Sequence, residues 1–274
     1  MKRFYIITNR TKDKNLEVTK HIQAYIESQG GMCLVAEENN AMPDDIDCIL
    51  VLGGDGTLIR AARELPSSDV PMLGINMGTL GYLTEVEVSD LEKSIDQLMA
   101  GDIYVEKRML LQGQAENQVQ NQAPNLALND IVLTRFGKVR VIQFRVYVNG
   151  ELLNTYRADG VIVSTPTGST AYNLSAGGPI VAPTASLIVI TPICSHALNT
   201  SSIVLSAEDE IVLEVCEGRD GDIEEAVVSF DGVEDIIVHT GDRIQIRKAE
   251  ATVKLIKLSK ISFLEIMRKK MKGN

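Results

Sequence analysis

Over the first hundred residues, short apolar runs alternate with segments whose apolar residues recur at helical spacing. The apolar runs predict four strands: Phe4–Thr8, Met32–Ala36, Cys48–Leu52 and Met72–Ile75. The segments between and after them predict three helices: Asn15–Gln29, Leu58–Leu65 and Ser89–Met99. Strands that alternate with helices usually pair in parallel, so residues 1–101 are expected to form an open α/β (Rossmann-like) domain.

Local signals support the ends of these elements. Gly30 and Gly31 are typical of a helix C-terminus, and Ser89 to Glu92 has the capping-box pattern that opens a helix. The run Cys48–Leu52 has no polar position, which is typical of a parallel strand buried on both faces.

The pattern changes near Gly101, after which short β-prone runs follow one another. They are Ile131–Thr134, Val139–Val148, Val161–Ser164, Ile188–Thr191, Ile211–Val215, Ala226–Phe230, Ile236–Val238, Ile244–Ile246 and Thr252–Leu258. Asn149-Gly150 between apolar runs indicates a β-hairpin, whereas the polar stretch Gln112–Asn125 predicts an exposed loop. Residues 102–258 are therefore expected to form an all-β, sandwich-like domain of two packed antiparallel sheets.

The last residues predict a short helix that packs back on the α/β domain over 259–274. Its apolar positions are Ile261, Leu264, Ile266, Met267 and Met271.

Composition narrows the classes of protein. The chain has 274 residues, of which 45% are apolar and 23% charged, and these values exclude a disordered, collagenous or disulfide-stabilised miniprotein. No apolar run approaches the roughly 20 residues that span a bilayer, and the N-terminal apolar stretch is too short for a signal peptide. The four cysteines show neither Cys-x-x-Cys spacing nor a histidine partner at metal-ligand spacing, so a cytoplasmic location is expected.

The net charge of −10 bears on the ligands that the chain can bind. Such a surface repels nucleic acid and anionic membranes at long range, so neither is an expected partner. A polyphosphate ligand would need local backbone amides, a few well-placed cations or a metal ion to overcome that field.

One glycine-rich segment has a pattern suited to phosphate chemistry. The segment Leu52–Leu58 reads LGGDGTL, directly after the predicted buried strand and at the start of a helix. The glycines let backbone approach a ligand closely, and the helix start offers free N–H groups to phosphate oxygens. Asp55 adds a carboxylate that could accept a hydroxyl proton or bind a metal. No Gly-Lys-Ser/Thr follows, so this is not a Walker loop.

Simpler explanations exist for this segment. Asp55 could cap the next helix from a tight turn, and Arg60 is either a phosphate ligand or a solvated residue. The donor-phosphate site predicted on the loop comprises Gly53, Gly54, Gly56, Thr57 and Arg60.

A second group of polar and small residues lies in the β-rich half. Tyr156–Gly160 is followed by Ser164–Pro179, where hydroxyl residues and glycines dominate. Such a segment either cradles one polar ligand or forms an ordinary surface loop. Asn129-Asp130, before a predicted strand, is either a pair of polar ligands or a strand-entry turn.

Together these segments resemble the NAD kinase family, and the resemblance extends over nearly the whole chain. Besides the GGDGT loop and Asn129-Asp130, it includes NMGTLGYLT at Asn76–Thr84, the Asp159 to Ser175 block with its TAYNLS end, and PICSHAL at Pro192–Leu198. GGDG alone is shared with phosphofructokinases and lipid kinases, whereas the other segments are far more specific.

The resemblance implies phosphorylation of the adenosine ribose 2′-hydroxyl of NAD by ATP or polyphosphate, yielding NADP, in a homodimer or homotetramer. It implies that Asp55 takes the hydroxyl proton beside Gly56, that Asn129 and Asp130 hold the adenosine ribose or the neighbouring part of NAD, and that Asp159 lies at the nicotinamide side. It further places around the dinucleotide the residues Arg140, Arg157, Thr170, Ala171, Tyr172, Asn173, Ser175 and Cys194. Arg140 and Arg157 match positions that contact the ligand of a second subunit.

Some features depart from the family pattern or leave alternatives. Asp130 stands where the family more often has Glu, Ser201-Ser202 where Arg-Pro is common, and Val233 where Gln is often found. A divalent cation, Mg²⁺, is expected to supplement the loop amides. The sequence identifies no protein ligand for this ion. The alternative functions are a lipid or sphingoid-base kinase and a non-catalytic NAD-sensing protein.

Overall fold

The strands predicted near the N-terminus form one parallel sheet in the computed structural model of the chain. In chain order the elements are β1 (Arg3–Thr8), α1 (Glu17–Ser28), β2 (Met32–Val35), β3 (Cys48–Gly53), α2 (Asp55–Glu64), β4 (Met72–Asn76), β5 (Val86–Glu87) and α3 (Leu91–Ala100). The structure describes residues 1–37, 41–65, 69–78, 81–116, 125–137, 140–197, 200–259 and 261–271.

The chain divides into two compact units. The first combines Met1–Arg108 with Val253–Asn274, and the second comprises Met109–Thr252. The first unit therefore includes residues 102–108 and 253–258, which the sequence analysis assigned to the β-rich domain.

Strand order in the first unit is β2-β1-β3-β4, and all neighbouring strands run parallel. The chain leaves β1 toward β2 on one side, whereas it leaves β3 toward β4 on the other. The carboxyl ends of β1 and β3 thus flank a topological switch point, the position at which open α/β sheets bind ligands.

Burial explains why these residues form these elements. Every residue of β3 is buried, as its uninterrupted apolar run predicted, while α1 buries only Thr19, Ile22 and Ile26 along one face. Phe4 of β1 and Leu98 of α3 belong to the same core. The buried residues of α1 and α3 thus pack against the strands in one core, which holds the strand ends in place.

The remaining strands form mainly antiparallel pairs, and the last one pairs in parallel where it enters the first unit. They are β6 (Tyr104–Ala115), β7 (Asn125–Ala127), β8 (Asp130–Arg135), β9 (Ile142–Val148), β10 (Glu151–Ala158), β11 (Gly160–Ser164), β12 (Leu187–Ile193), β13 (Ile203–Ser206), β14 (Ile211–Val215), β15 (Glu225–Phe230), β16 (Glu234–His239) and β17 (Arg243–Lys257). A short helix, α4 (Tyr172–Ser175), follows one 3₁₀ turn at Gly168–Thr170.

The second unit is the predicted sandwich. One sheet has the order β13-β12-β11-β8-β15-β16, and the other contains β10-β9-β14-β17. Side chains from both, including Phe144, Tyr156 and Phe230, form a single apolar core. Asn149 and Gly150 both have positive φ and join β9 to β10, which confirms the predicted hairpin.

The last part of the chain returns to the first unit. β17 pairs with β4 in parallel at Leu255, and α5 (Phe263–Met271) follows it. Of the apolar positions that predicted this helix, Met267 is buried, whereas Leu264 is 75% exposed. Among the described residues, no helix has the length and apolar content needed to cross a membrane.

Several local predictions need correction. Gln112–Ala115 lies in β6 and not in the predicted loop, because Gly113 packs under Phe230 in the sheet. Residues 117–124 of that loop lie outside the described residues. α3 begins after a 3₁₀ turn and no side chain caps it, so Ser89 does not act as the predicted cap. The two runs predicted for the end of the β-rich half form one continuous strand, β17.

Candidate active site

The glycine-rich segment occupies the carboxyl end of β3. Gly53 ends the strand, Gly54 is the N-cap of α2, and the helix begins at Asp55. A Cβ on Gly53 would lie 2.2 Å from Oγ1 of Thr57, so only glycine lets the loop close onto the first turn of the helix. Around Gly56 there is open space instead, and the backbone there is exposed.

The Asp55 carboxylate is held by backbone. Its Oδ2 accepts a hydrogen bond from the N–H of Tyr82 at 2.7 Å, and its Oδ1 accepts from Leu83 and Thr84 at 3.1 and 3.2 Å. A carboxylate has about four acceptor positions, so these bonds leave about one for another donor. The alternative in which Asp55 caps the next helix from a tight turn is not supported, because Asp55 makes no capping bond to α2.

The Tyr82–Thr84 segment is itself braced by the C-terminal part of the chain. The buried carboxylate of Glu85 accepts hydrogen bonds from Lys257 Nζ at 2.8 Å and from Ser259 Oγ at 2.6 Å. Burial opposes the charge of Glu85, but the ammonium of Lys257 and the bonds from Ser259 outweigh it and lower the pKa of Glu85. Lys270 Nζ lies 4.2 Å from the centre of the Tyr82 ring.

A cavity of about 950 Å³ lies beside the glycine-rich loop within the first unit. Gly54, Gly56, Thr57 and Arg60 line it, which brings together four of the five predicted donor-phosphate residues. Its other lining residues are Tyr5, Ile7, Thr8, Asn9, Arg10, Thr11, Lys12, Ala36, Glu37, Ala41, Met42, Glu64 and Leu65. Arg60 forms an exposed ion pair with Glu64 at 3.5 Å, and such a pair is weak enough to exchange for a ligand.

Sequence reasoning missed the cationic residues of the turn after β1. Arg10 and Lys12 line the same cavity as the glycine-rich loop. Their position directly after a predicted parallel strand was the available signal, because carboxyl ends of such strands share one edge of the sheet.

In the second unit, the backbone at Asn129 and Asp130 is tightly held. The carboxylate of Asp231 accepts hydrogen bonds from the N–H groups of Leu128, Asn129 and Asp130 at 2.8, 2.7 and 3.1 Å. Thr165 adds a bond from its hydroxyl to the carbonyl of Leu128 at 2.6 Å. Sequence reasoning missed this role of Asp231.

Unlike their backbone, the side chains of the same pair are not part of this hydrogen-bond network. Within the described part of the chain, neither Asn129 nor Asp130 uses its side chain in a hydrogen bond or ion pair. Asp130 is 5% exposed, and this burial together with the nearby charge of Asp231 raises the pKa of Asp130 to about 7. A fixed backbone with two free polar side chains is suited to recognition of hydroxyl groups.

The other predicted residues of the second unit have different environments. Asp159 forms an ion pair with Arg135 at 3.1 Å, and Arg140 forms one with Glu224 at 3.0 Å. Arg157 is exposed in β10. Cys194 is also exposed and has a φ of 48°.

The hydroxyl-rich block forms a short helical turn around a buried amide. Asn173 is fully buried, and its Nδ2 donates to the carbonyls of Ser169 and Pro179 at 3.1 and 3.0 Å. Its Oδ1 accepts from Thr191 at 2.7 Å. Asn173 therefore shapes the loop from inside. Between Thr170 and Ser175, the residues that reach the surface are Thr170, Ala171, Tyr172, Leu174 and Ser175.

The structure shows the surroundings of two residues that depart from the family pattern, Ser202 and Val233. Ser202, where Arg-Pro is common, lies 2.8 Å from the Thr191 hydroxyl and so extends the network of Asn173. Val233 is 57% exposed after the turn at Asp231.

Comparison with known proteins identifies the family of this chain. The model of the ATP-NAD kinase N-terminal domain matches residues 9–103, and that of the C-terminal domain matches residues 128–258. The chain belongs to the NAD kinase family. The NAD kinase of Agathobacter rectalis is 46% identical over 285 residues, which cover 100% of this chain and 99% of the relative. That of Lachnospira eligens is 45% identical over 293 residues, covering 99% and 100%.

Solved structures agree with the NAD kinase fold. A yeast NADH kinase complexed with NADH superposes with a TM-score of 0.89 at 22% identity, covering 100% of this chain and 88% of its own. An NAD kinase from Archaeoglobus fulgidus in complex with ATP gives 0.77 at 25% identity, covering 94% of both chains. These comparisons support the NAD kinase family and give no support to the lipid-kinase or NAD-sensing alternatives.

Proposed function

We propose that the chain transfers the γ-phosphoryl group of ATP to the 2′-hydroxyl of the adenosine ribose of NAD, with Asp55 as the proton acceptor. The observation that carries this proposal is the Asp55 carboxylate, held by three backbone N–H groups with about one acceptor position left. A ribose hydroxyl that donates to that position is oriented for attack on phosphorus.

The reaction needs positioning and charge stabilisation more than a strong base. As the bond between the ribose oxygen and the γ-phosphorus forms, the bond from that phosphorus to the bridging oxygen of ADP breaks. The hydroxyl proton passes to Asp55 and then to solvent. The backbone of Gly53, Gly54 and Gly56, with Thr57 and Arg60, would contact the donor phosphates, and all of these except Gly53 line the cavity beside the loop.

Mg²⁺ fits this site as part of the substrate, MgATP. In the described residues, no cluster of three or more His, Cys, Asp and Glu side chains could hold a metal ion. Mg²⁺ keeps several waters and is commonly bound through substrate phosphates, which requires no such cluster. Its chemistry here would be neutralisation of charge on the phosphates.

The dinucleotide site is proposed for the second unit. Asn129 and Asp130 would bind the ribose, because their side chains are free while Asp231 holds their backbone. Asp159 would lie at the nicotinamide side. The remaining proposed contacts are Arg140, Arg157, Thr170, Ala171, Tyr172, Asn173, Ser175 and Cys194, of which Asn173 would act by shaping the loop.

We also propose that the protein is a homodimer or homotetramer. The edge strands β13 and β16 of the six-stranded sheet expose Val204 at 52% and Ile237 at 54%, and apolar edge strands are candidates for subunit contacts. Analytical ultracentrifugation tests this, and a monomer at micromolar concentration would contradict it. A cytoplasmic location is consistent with the four free cysteines.

Product analysis tests the activity directly. The protein is incubated with Mg²⁺, with either NAD or NADH, and with either ATP or polyphosphate. The products are then separated and identified by mass spectrometry. NADP is expected from NAD and ATP, whereas folded protein without turnover would favour the sensing alternative.

Substitution of the proposed base tests its role. Asp55→Asn is expected to lower turnover by about 100-fold or more, because a general base contributes on this scale. The KM for NAD should change little. Asp96→Asn is the matched control, since Asp96 is an exposed carboxylate of the same unit whose one side-chain hydrogen bond among the described residues is to Tyr25. Normal turnover in Asp55→Asn would show that the base is wrongly assigned.

A further inference from the structure

The turn that follows β1 lies at the switch point of the parallel sheet. Asn9 to Lys12 form this turn, and the N–H of Asn9 donates to the carbonyl of Leu52 in β3 at 2.8 Å. The turn and the glycine-rich loop therefore flank the same crevice. Nothing in the sequence motifs assigns a function to this turn.

Lys12 places its ammonium group over two loops at once. A Cβ on Gly54 would lie 3.2 Å from Lys12 Nζ, and a Cβ on Gly78 would lie 3.4 Å from it. Gly54 follows β3 and Gly78 follows β4. Since both positions are glycine, the ammonium has room close to the backbone of each loop.

The side chain of Asn9 fixes the turn that carries Lys12. Its Oδ1 accepts hydrogen bonds from the N–H groups of Thr11 and Lys12 at 3.1 and 3.3 Å. Its Nδ2 donates to Oγ1 of Thr57 at 3.3 Å, in the first turn of α2. The turn is thus tied to the glycine-rich loop by the side-chain bond from Asn9 to Thr57 as well as by the sheet.

The electrostatic setting of Lys12 favours an anion. Across the described residues, no carboxylate oxygen lies within 4.0 Å of Lys12 Nζ. The ammonium also lies beside the N-terminus of α2, the positive end of the helix dipole, where a cation is unfavourable unless an anion lies between. The chain has a net charge of −10, so the positive charge of Lys12 is opposite in sign to that of the chain as a whole.

We propose that Lys12 is a catalytic residue that binds the phosphates of the donor triphosphate over the glycine-rich loop. This rests on the proposed function, and it adds a cation from the turn after β1 to a donor site otherwise built from the loop and α2. The cavity that Lys12 lines has a volume of about 950 Å³, enough for a nucleotide. Its polar lining lies near the loop, while Tyr5 and Ile7 line it further back along β1.

Three variants test the proposal. Lys12→Met removes the charge and keeps most of the length, Lys12→Arg keeps the charge, and Lys14→Met removes a charge two residues away. Lys14 is exposed and does not line the cavity, so it is the matched control. Circular dichroism and thermal melting establish that each variant is folded.

We expect Lys12→Met to lower kcat/KM for ATP by roughly 10- to 100-fold, the usual effect of losing a hydrogen bond to a charged group. The KM for NAD should stay within about twofold, Lys12→Arg should recover most of the loss, and Lys14→Met should behave as wild type. Binding of inorganic tripolyphosphate, measured by calorimetry without any turnover, should weaken in the same order.

Each outcome decides the proposal. Unchanged kcat/KM for ATP in Lys12→Met, or an equal loss in Lys14→Met, overturns it while the kinase function stands. Absence of NADP from the wild-type protein overturns the proposed function, and tripolyphosphate binding then decides on Lys12 alone. Wild-type protein that neither turns over nor binds tripolyphosphate overturns both.

Discussion

Gly81 lies directly against the carboxylate of Asp55, since a Cβ at Gly81 would be 1.9 Å from Oδ1 of Asp55. No side chain fits at this position without displacing the carboxylate or the segment that binds it. Gly81→Ala is therefore expected to lower turnover by about 100-fold, because a shift of about 1 Å at a reacting group has this effect. Steady-state kinetics with ATP and NAD measures the change.

The same variant should remain folded. Overpacking one methyl group costs about 1–3 kcal/mol, which urea denaturation measures. Turnover near the wild-type value in folded Gly81→Ala would mean that the contact between Gly81 and Asp55 has no role in catalysis.

The buried ion pair between Glu85 and Lys257 should be important for stability. Their side chains are 7% and 12% exposed, so Lys257→Met leaves a buried charge without its partner. We expect the free energy of unfolding to fall by about 3 kcal/mol. Lys254→Met is the matched control, because its partner Asp69 is 98% exposed and such pairs contribute about 1 kcal/mol or less. Equal losses of unfolding free energy in the two variants would contradict the claim that the buried pair of Glu85 and Lys257 contributes more to stability than the exposed pair.

The stabilisation by Glu85 should also depend on pH. Its pKa is lowered in the folded protein from an ordinary value of 4.5, so its contribution is complete above that value. It is lost as the pH falls through the folded-state pKa. The difference in unfolding free energy between wild type and Glu85→Gln should therefore shrink below about pH 4, as measured by urea titrations from pH 3 to 7. A constant difference across this range would be inconsistent with the lowered pKa.

Asp130 is expected to have the opposite dependence on pH. Its pKa is raised from 3.8 to about 7 by burial and by the charge of Asp231. The folded state therefore favours the protonated form, and stability is lost as the pH rises from about 4 to about 7. Asp130→Asn should be more stable than wild type by roughly 1–4 kcal/mol at pH 8, with no gain near pH 4. Denaturation at both pH values checks this, and an equal effect at both would contradict it.

Asp231 should act on the dinucleotide site as a positioning residue. Asp231→Asn replaces the carboxylate that binds three backbone N–H groups with an amide that has one acceptor oxygen. We expect the KM for NAD to rise by about 10-fold and the KM for ATP to stay near wild type. Loss of its charge should also bring the pKa of Asp130 down, which carboxyl NMR titration measures. A rise in both KM values would indicate general damage instead.

Much of the fold could be predicted from the chain alone because its patterns are local. The continuous apolar run of β3 and the positive-φ pair Asn149-Gly150 depend on neighbouring residues, and both were predicted correctly. The prediction failed at Gln112–Ala115, where polar residues form part of β6. There the partner strand, and not the local composition, determines the conformation.

In the candidate site, too, some features could be predicted from the sequence and others depend on the tertiary structure. By itself the sequence determined the glycine-rich loop after a buried strand, its helix, its acidic residue and the polar pair at Asn129, since residue type and strand order suffice for these. Only the tertiary structure decided that Asp55 binds the backbone of Tyr82 to Thr84, that Asp231 holds residues about a hundred positions away, and that Lys12 lies over Gly54. Such contacts join segments that are distant in the chain, and which distant segments meet depends on the order and packing of whole strands.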